Sequence, residues 1–597
     1  MEKSKQRGVI ILLCSWLGLT VAAFSLIQEE KISQPIYDVK MELNVMVPMR
    51  DGVRLSADIY RPDAPGRFPV LLERTPYNNN NNYYFERGTY YARRGYVFMV
   101  QDTRGRHDSE GEWYPLIYEA EDGYDTQEWA GTQPWSTGKV GTIGASYVGW
   151  TQWYPAPLAN KHLACMVPYV APPNPFKNFP YENGVLFLAA ASWMLMMDGH
   201  TLQTFGGDGN WVPDPPYKLS EMLKHLPVSE FDRMGGRRVS WFQDWMEHDT
   251  FDDYWKRLDY QSQFNKINVP TFHITGWYDG DFPGAFMNFP GMVKGAKTEH
   301  ARRSQKLLIG PWAHAVNLTR RLTGVNFGQG SLIDLDRWVL RWFDHWLKGI
   351  DNGILGEAPI RIFVMGANDW RDEWEWPLER TRWTKYYLHS TGRANSLYGD
   401  GLLSTTPPGG DEPPDRYRYD PEKPAPAKHT TYGPIDLQKI ERRMDVLVYQ
   451  TPQLEDEVEL TGPVTLKLYA GSSAPDTDFF ARLSDVFPNG FAMGLGHGII
   501  RARFRDSLEK STLLEPGKVY EYTIELWPTS NLFHKGHRIR IEITSSAFPD
   551  FARNLNTGKN SQTTTEMQVA DQTIYHDAKY SSHVILPVIP VDSSNLE

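Results

Sequence analysis

The feature that most constrains the fold of this chain is the stretch Gly-Thr-Ile-Gly-Ala-Ser-Tyr-Val-Gly at residues 141–149. Its apolar left half suits a buried strand, and the residues from Tyr147 onward predict a helix. Ser146 stands between them, flanked by Gly144 and Gly149. This pattern is typical of a nucleophile elbow, a sharp strand-to-helix turn that lifts a hydroxyl above a sheet. Val148 stands where the strict G-x-S-x-G pattern has its last glycine, so an ordinary βα turn remains an alternative.

Chain length and charge limit the classes of protein to consider. With 597 residues the chain is too long for one core, and several domains are expected. The formal net charge of −11 argues against a nucleic-acid partner, because phosphate binding needs a basic surface. No His/Cys cluster has metal-ligand spacing and no cofactor motif is present, so neither a metal nor a cofactor is predicted.

The N-terminal residues 1–27 predict a signal peptide or an N-terminal membrane anchor. Lys3, Lys5 and Arg7 precede an apolar run of about 20 residues, which suits export and is also long enough to span a bilayer. Beyond this segment the chain has one cysteine, Cys165, so an intrachain disulfide is not expected in the mature protein. Export without disulfides favours a bacterial periplasm.

The order of apolar and amphipathic segments predicts an α/β class protein with three parts. Strands alternating with helices over residues 36–174 and again over 265–382 predict one parallel sheet with right-handed crossovers. Residues 175–264 break this pattern and predict an inserted helical cap, with helices at 189–197 and 241–258. From residue 383 to 597, short alternating runs between turn residues predict an all-β jelly roll.

Two local features of the first part are also predicted. Residues 36–62 have the alternation and central turn of a β-hairpin. The five asparagines at 78–82 predict an exposed loop.

Three polar residues follow the ends of predicted apolar strands, namely Ser146, Asp279 and His314. Catalytic groups in open α/β sheets gather at the carboxyl ends of strands, and Ser-acid-His is the chain order of α/β-hydrolases. Taken singly, Asp279 could be a turn residue and His314 a structural histidine. Together with the elbow, they predict a catalytic triad.

The sequence resembles the cocaine esterase and X-Pro dipeptidyl-peptidase superfamily, which includes α-amino-acid ester hydrolases and glutaryl-cephalosporin acylases. The resemblance is carried by Gly-Ala-Ser-Tyr-Val-Gly, Gly-Trp-Tyr-Asp-Gly and Gly-Pro-Trp-Ala-His, and by motifs beginning at Gln101, Thr477 and Gly536. It spans roughly residues 40 to 590. It implies an α/β-hydrolase core, an inserted helical cap and a C-terminal jelly roll, often with self-association into homo-oligomers.

Residue types then predict a mechanism. His314 would take the proton of Ser146, and Asp279 would orient the imidazole and stabilise its cation. The backbone N–H of Tyr147 would be the first oxyanion donor. The resemblance implies a tyrosine hydroxyl as the second donor, and Tyr77 in Arg-Thr-Pro-Tyr matches that position; the alternative is a surface tyrosine.

Substrate contacts are predicted at four positions. The amino-acid ester hydrolases place acids after the triad aspartate to bind an α-ammonium group, and this chain has Asp281 there, followed by Phe282. Glu182 lies near the position at which that family supplies a carboxylate from the start of the cap. Trp150 is the fourth predicted contact. The alternative for Asp281 is a solvated acid or one paired with an arginine.

The sequence therefore predicts a serine hydrolase for a small-molecule ester or amide, or for a peptide. Within the family the main rival is an X-Pro dipeptidyl-peptidase, which also needs acids to hold a free amino terminus. Such peptidases often carry an extra N-terminal domain, whereas here the predicted core follows soon after the targeting segment. A carbohydrate-binding surface protein with a vestigial hydrolase core is an alternative of another class.

Overall fold

The computed structural model describes residues 32–188, 193, 196–201, 219–234, 236, 238–427 and 433–590. The predicted targeting segment, 1–27, and most of the helix predicted at 189–197 lie outside the described residues. Among the residues that the structure describes, no helix has the length and apolar character needed to cross a membrane.

The first large sheet has ten strands and forms the core of the α/β part. The strands up to residue 373, which include two short hairpins, are β1 (Val39–Pro48), β2 (Arg54–Pro62), β3 (Phe68–Thr75), β4 (Val97–Asp102), β5 (Ser136–Ala145), β6 (Leu163–Tyr169), β7 (Tyr181–Glu182), β8 (Val185–Leu186), β9 (Thr271–Tyr278), β10 (Gln305–Ala313), β11 (Arg321–Leu322), β12 (Val325–Asn326), β13 (Ile360–Val364) and β14 (Asp369–Glu373). The large sheet has the order β1-β2-β4-β3-β5-β6-β9-β10-β13-β14. From β4 to β13 all neighbours are parallel. The predicted parallel sheet is confirmed.

Helices connect the strands of this sheet and form the cap, and one short helix lies in the C-terminal part. They are α1 (Asn82–Ala92), α2 (Glu119–Thr132), α3 (Tyr147–Trp153), four short cap helices α4 (Leu219–Met222), α5 (Phe231–Met234), α6 (Ser240–Glu247) and α7 (Asp253–Lys256), then α8 (Pro283–Gly295), α9 (Glu299–Arg303), α10 (Leu335–Lys348) and α11 (Gln438–Glu441). Single-turn 3₁₀ helices lie at Ala156–Leu158, Val228–Glu230, Gln329–Ser331, Ile354–Gly356 and Ala502–Phe504, and a longer one lies at Gln261–Lys266.

Helix α10 shows how sequence pattern sets both the ends and the buried face of a helix. Asp334 accepts a hydrogen bond from the Arg337 backbone N–H at the start, and Gly349 ends the helix in the left-handed conformation. Residues spaced three and four apart, including Leu340, Phe343 and Leu347, are buried in the cluster that covers the sheet. Fully burying each such side chain contributes roughly 1.5–3 kcal/mol to stability.

Of the two local predictions for this part, the N-terminal hairpin is confirmed and the exposed asparagine loop is corrected. Strands β1 and β2 pair antiparallel, which confirms the predicted hairpin. The prediction of an exposed loop at 78–82 is wrong in part. Asn79 is fully buried, where its N–H donates to Asp102 and its side-chain amide donates to Ser56. Asn81 accepts from the Tyr84 N–H and so caps α1, because a short amide side chain satisfies a free N–H at a helix start.

The cap, between β6 and β9, combines short helices with a hairpin. Strands β7 and β8 pair antiparallel, so this part is less purely helical than predicted. Its interior is aromatic: Trp241 and Trp245 are buried on α6 and lie 4.7 Å apart between ring centroids. Such packing buries large apolar area and fixes the short helices on the core.

The C-terminal part is all-β and contains an 11-stranded sheet. Its strands are β15 (Arg382–His389), β16 (Leu402–Ser404), β17 (Asp415–Tyr419), β18 (Leu447–Gln450), β19 (Val458–Ser472), β20 (Asp478–Val486), β21 (Ala492–Arg501), β22 (Tyr520–Phe533), β23 (Arg538–Thr544), β24 (Ala570–Tyr575) and β25 (His583–Ile589). Their order is β17-β24-β19-β25-β15-β16-β18-β23-β20-β21, and β22 pairs with β19. One apolar cluster joins Trp277 and Phe282 of the core to Leu466 and Ile541 of this domain. The two domains therefore share a hydrophobic core.

Candidate active site

Ser146 occupies a strained turn between β5 and α3. Its φ is 61° and its ψ −125°, a conformation that L-residues rarely adopt. The Ser146 N–H donates to the Tyr169 carbonyl at 3.0 Å, and its carbonyl accepts from the Gly149 N–H at 2.8 Å. These bonds hold the turn in place, as expected of a nucleophile elbow.

The two glycines beside the serine are required by close contacts. A Cβ on Gly144 would lie 2.1 Å from Val148 Cγ1, and its φ is +146°. A Cβ on Gly149 would lie 2.6 Å from Ala171 Cβ. The departure from G-x-S-x-G at Val148 is therefore compatible with the turn, because Gly149 supplies the close approach of α3 to its neighbour.

His314 and Asp279 meet at the carboxyl ends of β10 and β9. His314 Nδ1 lies 2.6 Å from Asp279 Oδ1, and Thr275 donates its hydroxyl to Asp279 Oδ2 at 3.2 Å. Asp279 is fully buried, whereas 43% of the His314 side chain is exposed. One ring nitrogen is thus engaged by an acid while the ring remains open to a substrate, as a general base requires.

A second acid, Asp281, adds negative charge near His314. Asp281 Oδ2 lies 3.9 Å from His314 Nδ1. Burial opposes the imidazolium, but the charges of Asp279 and Asp281 outweigh it and raise the pKa of His314 to about 9. Burial and the Asp279 charge raise the pKa of Asp281 to about 7, against the opposing effect of His314.

Tyr147 is anchored by a buried network that also fixes the start of α3. Its hydroxyl donates to Glu119 Oε1 at 2.8 Å and accepts from the Leu116 N–H at 2.9 Å. Glu119 is in turn paired with Arg74 at 2.7 Å. The Tyr147 N–H stands in the first turn of a helix, where backbone N–H groups have no intrahelical acceptor. It is therefore suited to bind an oxyanion.

Tyr77 is placed over the elbow. Its hydroxyl oxygen accepts from Trp193 Nε1 at 3.3 Å. Burial raises the pKa of Tyr77 to about 12, against the opposing effect of hydrogen bonding with Trp193 and Ser146. A phenol that stays protonated at neutral pH can donate its hydrogen, which is the property that an oxyanion hole needs.

The predicted substrate acids Glu182 and Asp281 are connected through the indole of Trp527. Glu182, on β7, is buried and accepts from Trp527 Nε1 at 3.3 Å. Burial raises the pKa of Glu182 to about 8, and Trp527 and Lys177 oppose this. The Trp527 ring also packs at 4.9 Å against Phe282, next to Asp281. The C-terminal domain thus inserts an indole between Glu182 and the triad acid loop.

The two predicted aromatic contacts are part of the packed walls. Trp150 is 2% exposed, and its indole donates to the Pro173 carbonyl at 2.9 Å. Phe282 is fully buried, with its ring 5.4 Å from Phe286 and 4.9 Å from Trp527. In this structure both rings support the site from behind, and their direct contact with a substrate stays a prediction.

Sequence reasoning missed several residues that shape the site. Glu119, Trp193 and Trp527 contact predicted site residues, yet they come from a helix, the cap and the β domain. Of these only Trp193 carried a signal, since it belongs to the Trp/Met-rich stretch of the cap.

A metal-like grouping coincides with the triad. Asp279, Asp281 and His314 each bring one ligand atom within 4.8 Å of the others. The His314 Nδ1 is already hydrogen-bonded to Asp279, so the grouping has an explanation that needs no ion. The absence of a metal requirement stays a prediction.

Comparisons with known proteins identify the family of this chain. A family profile described as X-Pro dipeptidyl-peptidase (S15 family) matches residues 51–316. A second, described as X-Pro dipeptidyl-peptidase C-terminal non-catalytic domain, matches residues 352–585. The cocaine esterase of Rhodococcus sp. (strain MB1 Bresler) is 36% identical over 572 residues, which cover 92% of this chain and 98% of that protein.

The chain belongs to the cocaine esterase and X-Pro dipeptidyl-peptidase family. The resemblance stated from the motifs is thereby confirmed, and this member of the family is a serine hydrolase.

Two solved structures share its fold. An α-amino-acid ester hydrolase superposes with a TM-score of 0.80 at 24% identity, covering 95% of this chain and 100% of that one. An aminopeptidase from the marine sediment archaeon Thaumarchaeota archaeon superposes with a TM-score of 0.81 at 23% identity, covering 94% and 98%. The predicted fold class, an α/β-hydrolase core with a C-terminal β domain, is confirmed.

Proposed function

We propose that this hydrolase cleaves esters of small carboxylic acids through an acyl-enzyme on Ser146. The observation that carries the proposal is the half-open His314, held on buried Asp279 beside the strained elbow. In the first step His314 takes the Ser146 proton while the hydroxyl oxygen attacks the ester carbonyl. The resulting oxyanion accepts hydrogen bonds from the Tyr147 N–H and the Tyr77 hydroxyl.

Collapse of the tetrahedral intermediate releases the alcohol and leaves the acyl group on Ser146. His314, now protonated, gives its proton to the departing oxygen, and Asp279 stabilises the imidazolium until then. A water molecule then attacks the acyl-enzyme with His314 again as base, and the acid is released. The acids that raise the pKa of His314 favour the protonated state that both steps pass through.

The acyl group that fits best carries a cationic amino group. Among the described residues, neither Asp281 nor Glu182 has a Lys or Arg side chain within ion-pair distance, and burial raises the pKa of both. Asp281 shares its cationic neighbour His314 with Asp279, and Glu182 has no cation within ion-pair distance among the described residues. Burying such acids is costly, and an ammonium group bound there would offset that cost. An α-amino acyl ester would place its ammonium near Asp281 when its carbonyl carbon is at Ser146.

A comparison of three substrates tests this proposal. Protein lacking residues 1–27 is assayed on p-nitrophenyl butyrate, an α-amino acid methyl ester and Gly-Pro-p-nitroanilide, with Ser146→Ala as the blank. We expect the highest kcat/KM on the α-amino ester. We also expect Asp281→Asn and Glu182→Gln to reduce kcat/KM on that ester far more than on butyrate. An equal loss on both esters would contradict the ammonium site.

A second candidate is an X-Pro dipeptidyl-peptidase. The same two acids would bind the free amino terminus of a peptide, and both family profiles carry that description. A preference for Gly-Pro-p-nitroanilide would favour this candidate. Failure of the protein to react with a serine-directed fluorophosphonate would instead revive a carbohydrate-binding role without catalysis.

For the cell we propose export to a bacterial periplasm through residues 1–27, as a soluble or N-terminally anchored protein. The basic residues before a long apolar run support this proposal. Cell fractionation with N-terminal sequencing of the mature protein distinguishes cleavage from anchoring, and a cytoplasmic protein with residues 1–27 intact would contradict export. A homo-oligomer is also proposed, from the family resemblance, and sedimentation of the purified protein tests it.

A further inference from the structure

A buried arginine connects the loop that carries Tyr77 with the cap. Arg106 is fully buried in the loop after β4. Its Nε donates to the Pro76 carbonyl at 3.0 Å, and its Nη1 donates to the carbonyls of Met197 at 2.8 Å and of Gly199. One side chain therefore satisfies acceptors on two segments that are far apart in sequence.

The charge of Arg106 has no close counter-ion among the described residues. No carboxylate oxygen there lies within 4 Å of the guanidinium, which instead stands over the Trp113 ring at 5.1 Å. Burial lowers the pKa of Arg106 to about 10, although Asp102 and neighbouring tyrosines raise it. The group is thus still cationic at neutral pH. Burying it costs free energy that the three carbonyl acceptors only partly offset.

Of the three carbonyls that Arg106 binds, that of Pro76 bears on the position of Tyr77. It belongs to the peptide group that joins Pro76 to Tyr77, so holding this oxygen fixes the direction in which the tyrosine leaves the loop. The cationic guanidinium also opposes the burial that raises the pKa of Tyr77, since a nearby positive charge favours the phenolate.

The cap also contacts the Tyr77 hydroxyl directly, through Trp193. Trp193 donates its indole N–H to the Tyr77 oxygen, and its ring stacks on Tyr147 with centroids 5.9 Å apart. Trp113, which lies under the guanidinium, packs at 5.6 Å against Trp193. With one lone pair of the phenol occupied by the indole, its own hydrogen is left for Ser146 or for an oxyanion.

We propose that Arg106 is a positioning residue for the oxyanion hole, which holds the Tyr77 loop against the cap segment bearing Trp193. The Tyr77 hydroxyl is then positioned by contacts from both the core and the cap. The proposal rests on the assignment of Tyr77 as an oxyanion donor.

The test is a double-mutant cycle with Arg106→Met and Tyr77→Phe, assayed on p-nitrophenyl butyrate. Tyr77→Phe is expected to lower kcat about 10²–10³-fold, the usual cost of one oxyanion donor. Arg106→Met is expected to lower kcat about 10- to 100-fold by misplacing Tyr77, with a smaller change in KM. In the Tyr77→Phe background the same change should lower kcat by only about twofold, because coupled residues are not additive.

Arg104 offers a matched control on the same loop. It is also buried, but it bonds Asp122 and Asp51 rather than the Tyr77 loop or the described cap. Arg104→Met is expected to lower the Tm and to leave kcat per folded molecule within about twofold. Arg106→Lys keeps the charge but not the fork of donors, so it should recover part of kcat.

Three outcomes would overturn the proposal. The first is an equal fold-loss of kcat from Arg106→Met in the wild-type and Tyr77→Phe backgrounds. The second is an effect of Arg106→Met confined to KM, and the third is an equal loss of kcat in Arg104→Met. If Arg106→Met does not fold, the same cycle is run with Arg106→Lys. If Tyr77→Phe retains full kcat while Ser146→Ala is inactive, the assignment of Tyr77 fails and the serine mechanism stands.

Discussion

Two histidines in this molecule each contact buried acids, and they differ in how accessible their rings are. In the core, His314 uses one ring nitrogen to contact Asp279 and leaves much of its ring exposed. In the C-terminal domain, His576 contacts Asp415 at 3.0 Å, Ser390 at 3.1 Å and Glu412 at 3.1 Å. His576 and Asp415 are both fully buried.

The two histidines differ in how many of their ring nitrogens are already hydrogen-bonded. Both nitrogens of His576 are engaged, and Ser390 donates its hydroxyl to Asp415 at 2.7 Å rather than pointing toward solvent. Ser390 also lacks the positive φ of Ser146. Residue types alone therefore do not define a triad. An accessible ring and a strained serine turn distinguish the proposed catalytic group from the buried cluster around His576.

The largest difference between the two histidine clusters is expected when the serine of each is removed. Ser146→Ala is expected to lower kcat by about 10⁴-fold or more, since the nucleophile is lost. Ser390→Ala should leave kcat unchanged and lower the free energy of unfolding by about 1 kcal/mol, the net value of one hydrogen bond. Steady-state kinetics and urea unfolding of both variants check this. Loss of activity in Ser390→Ala would mean that the second cluster is not merely structural.

Exchanging each acid for its amide extends the comparison. Asp279→Asn is expected to lower kcat about 10⁴-fold, because the imidazole loses its oriented tautomer and the charge that stabilises its cation. Asp415→Asn should instead lower the free energy of unfolding by about 3–5 kcal/mol, since it removes the charged partner of the buried His576 Nε2 and leaves only Glu412. Activity per folded molecule and unfolding curves separate the two effects. The reverse assignment of the losses would contradict the distinction.

The pH dependence of kcat/KM tests whether the neighbouring acid, Asp281, acts on His314. His314 acts as a base only when neutral, so kcat/KM on p-nitrophenyl butyrate should rise with pH through its raised pKa. Asp279 and Asp281 are the acids that raise it. Asp281→Asn removes one of these charges and should move the rise to lower pH, whereas Glu412→Gln should not move it. An unchanged midpoint in Asp281→Asn would show that Asp281 does not act on the base.

The smallest expected effect concerns the stability supplied by His576. Burial opposes its charge, but the bonds and charges of Asp415 and Glu412 raise its pKa above the unfolded value. A raised pKa gives stability that is fully present below about pH 6.5 and is lost as pH rises through the folded pKa. The difference in Tm between wild type and His576→Gln should therefore be larger at pH 6 than at pH 9. A difference that grows with pH would contradict this sign.

The elements that could be predicted from sequence are those specified locally. The alternation of strands and helices follows from hydrophobic periodicity, and α10 begins and ends at residues whose capping role is readable. The three triad candidates could be found because each follows its strand directly. The chain order of the elements then placed them at one edge of the sheet.

What could not be predicted depends on contacts between distant parts of the chain. Asn79 is buried only because the loops carrying Asp102 and Ser56 come to it. Trp193 is 116 residues from Tyr77, and Trp527 is 345 residues from Glu182. No local pattern encodes such pairs, since each depends on how whole elements pack.

The indole that the C-terminal domain places on Glu182 bears on how such enzymes diversify. A domain whose family profile is described as non-catalytic here contributes the indole that lies against Glu182 and Phe282. Exchange of this domain between two paralogues would therefore also change the ring that hydrogen-bonds Glu182. Chimaeras should inherit new preferences only when β7, the loop after β9 and β22 come from one parent.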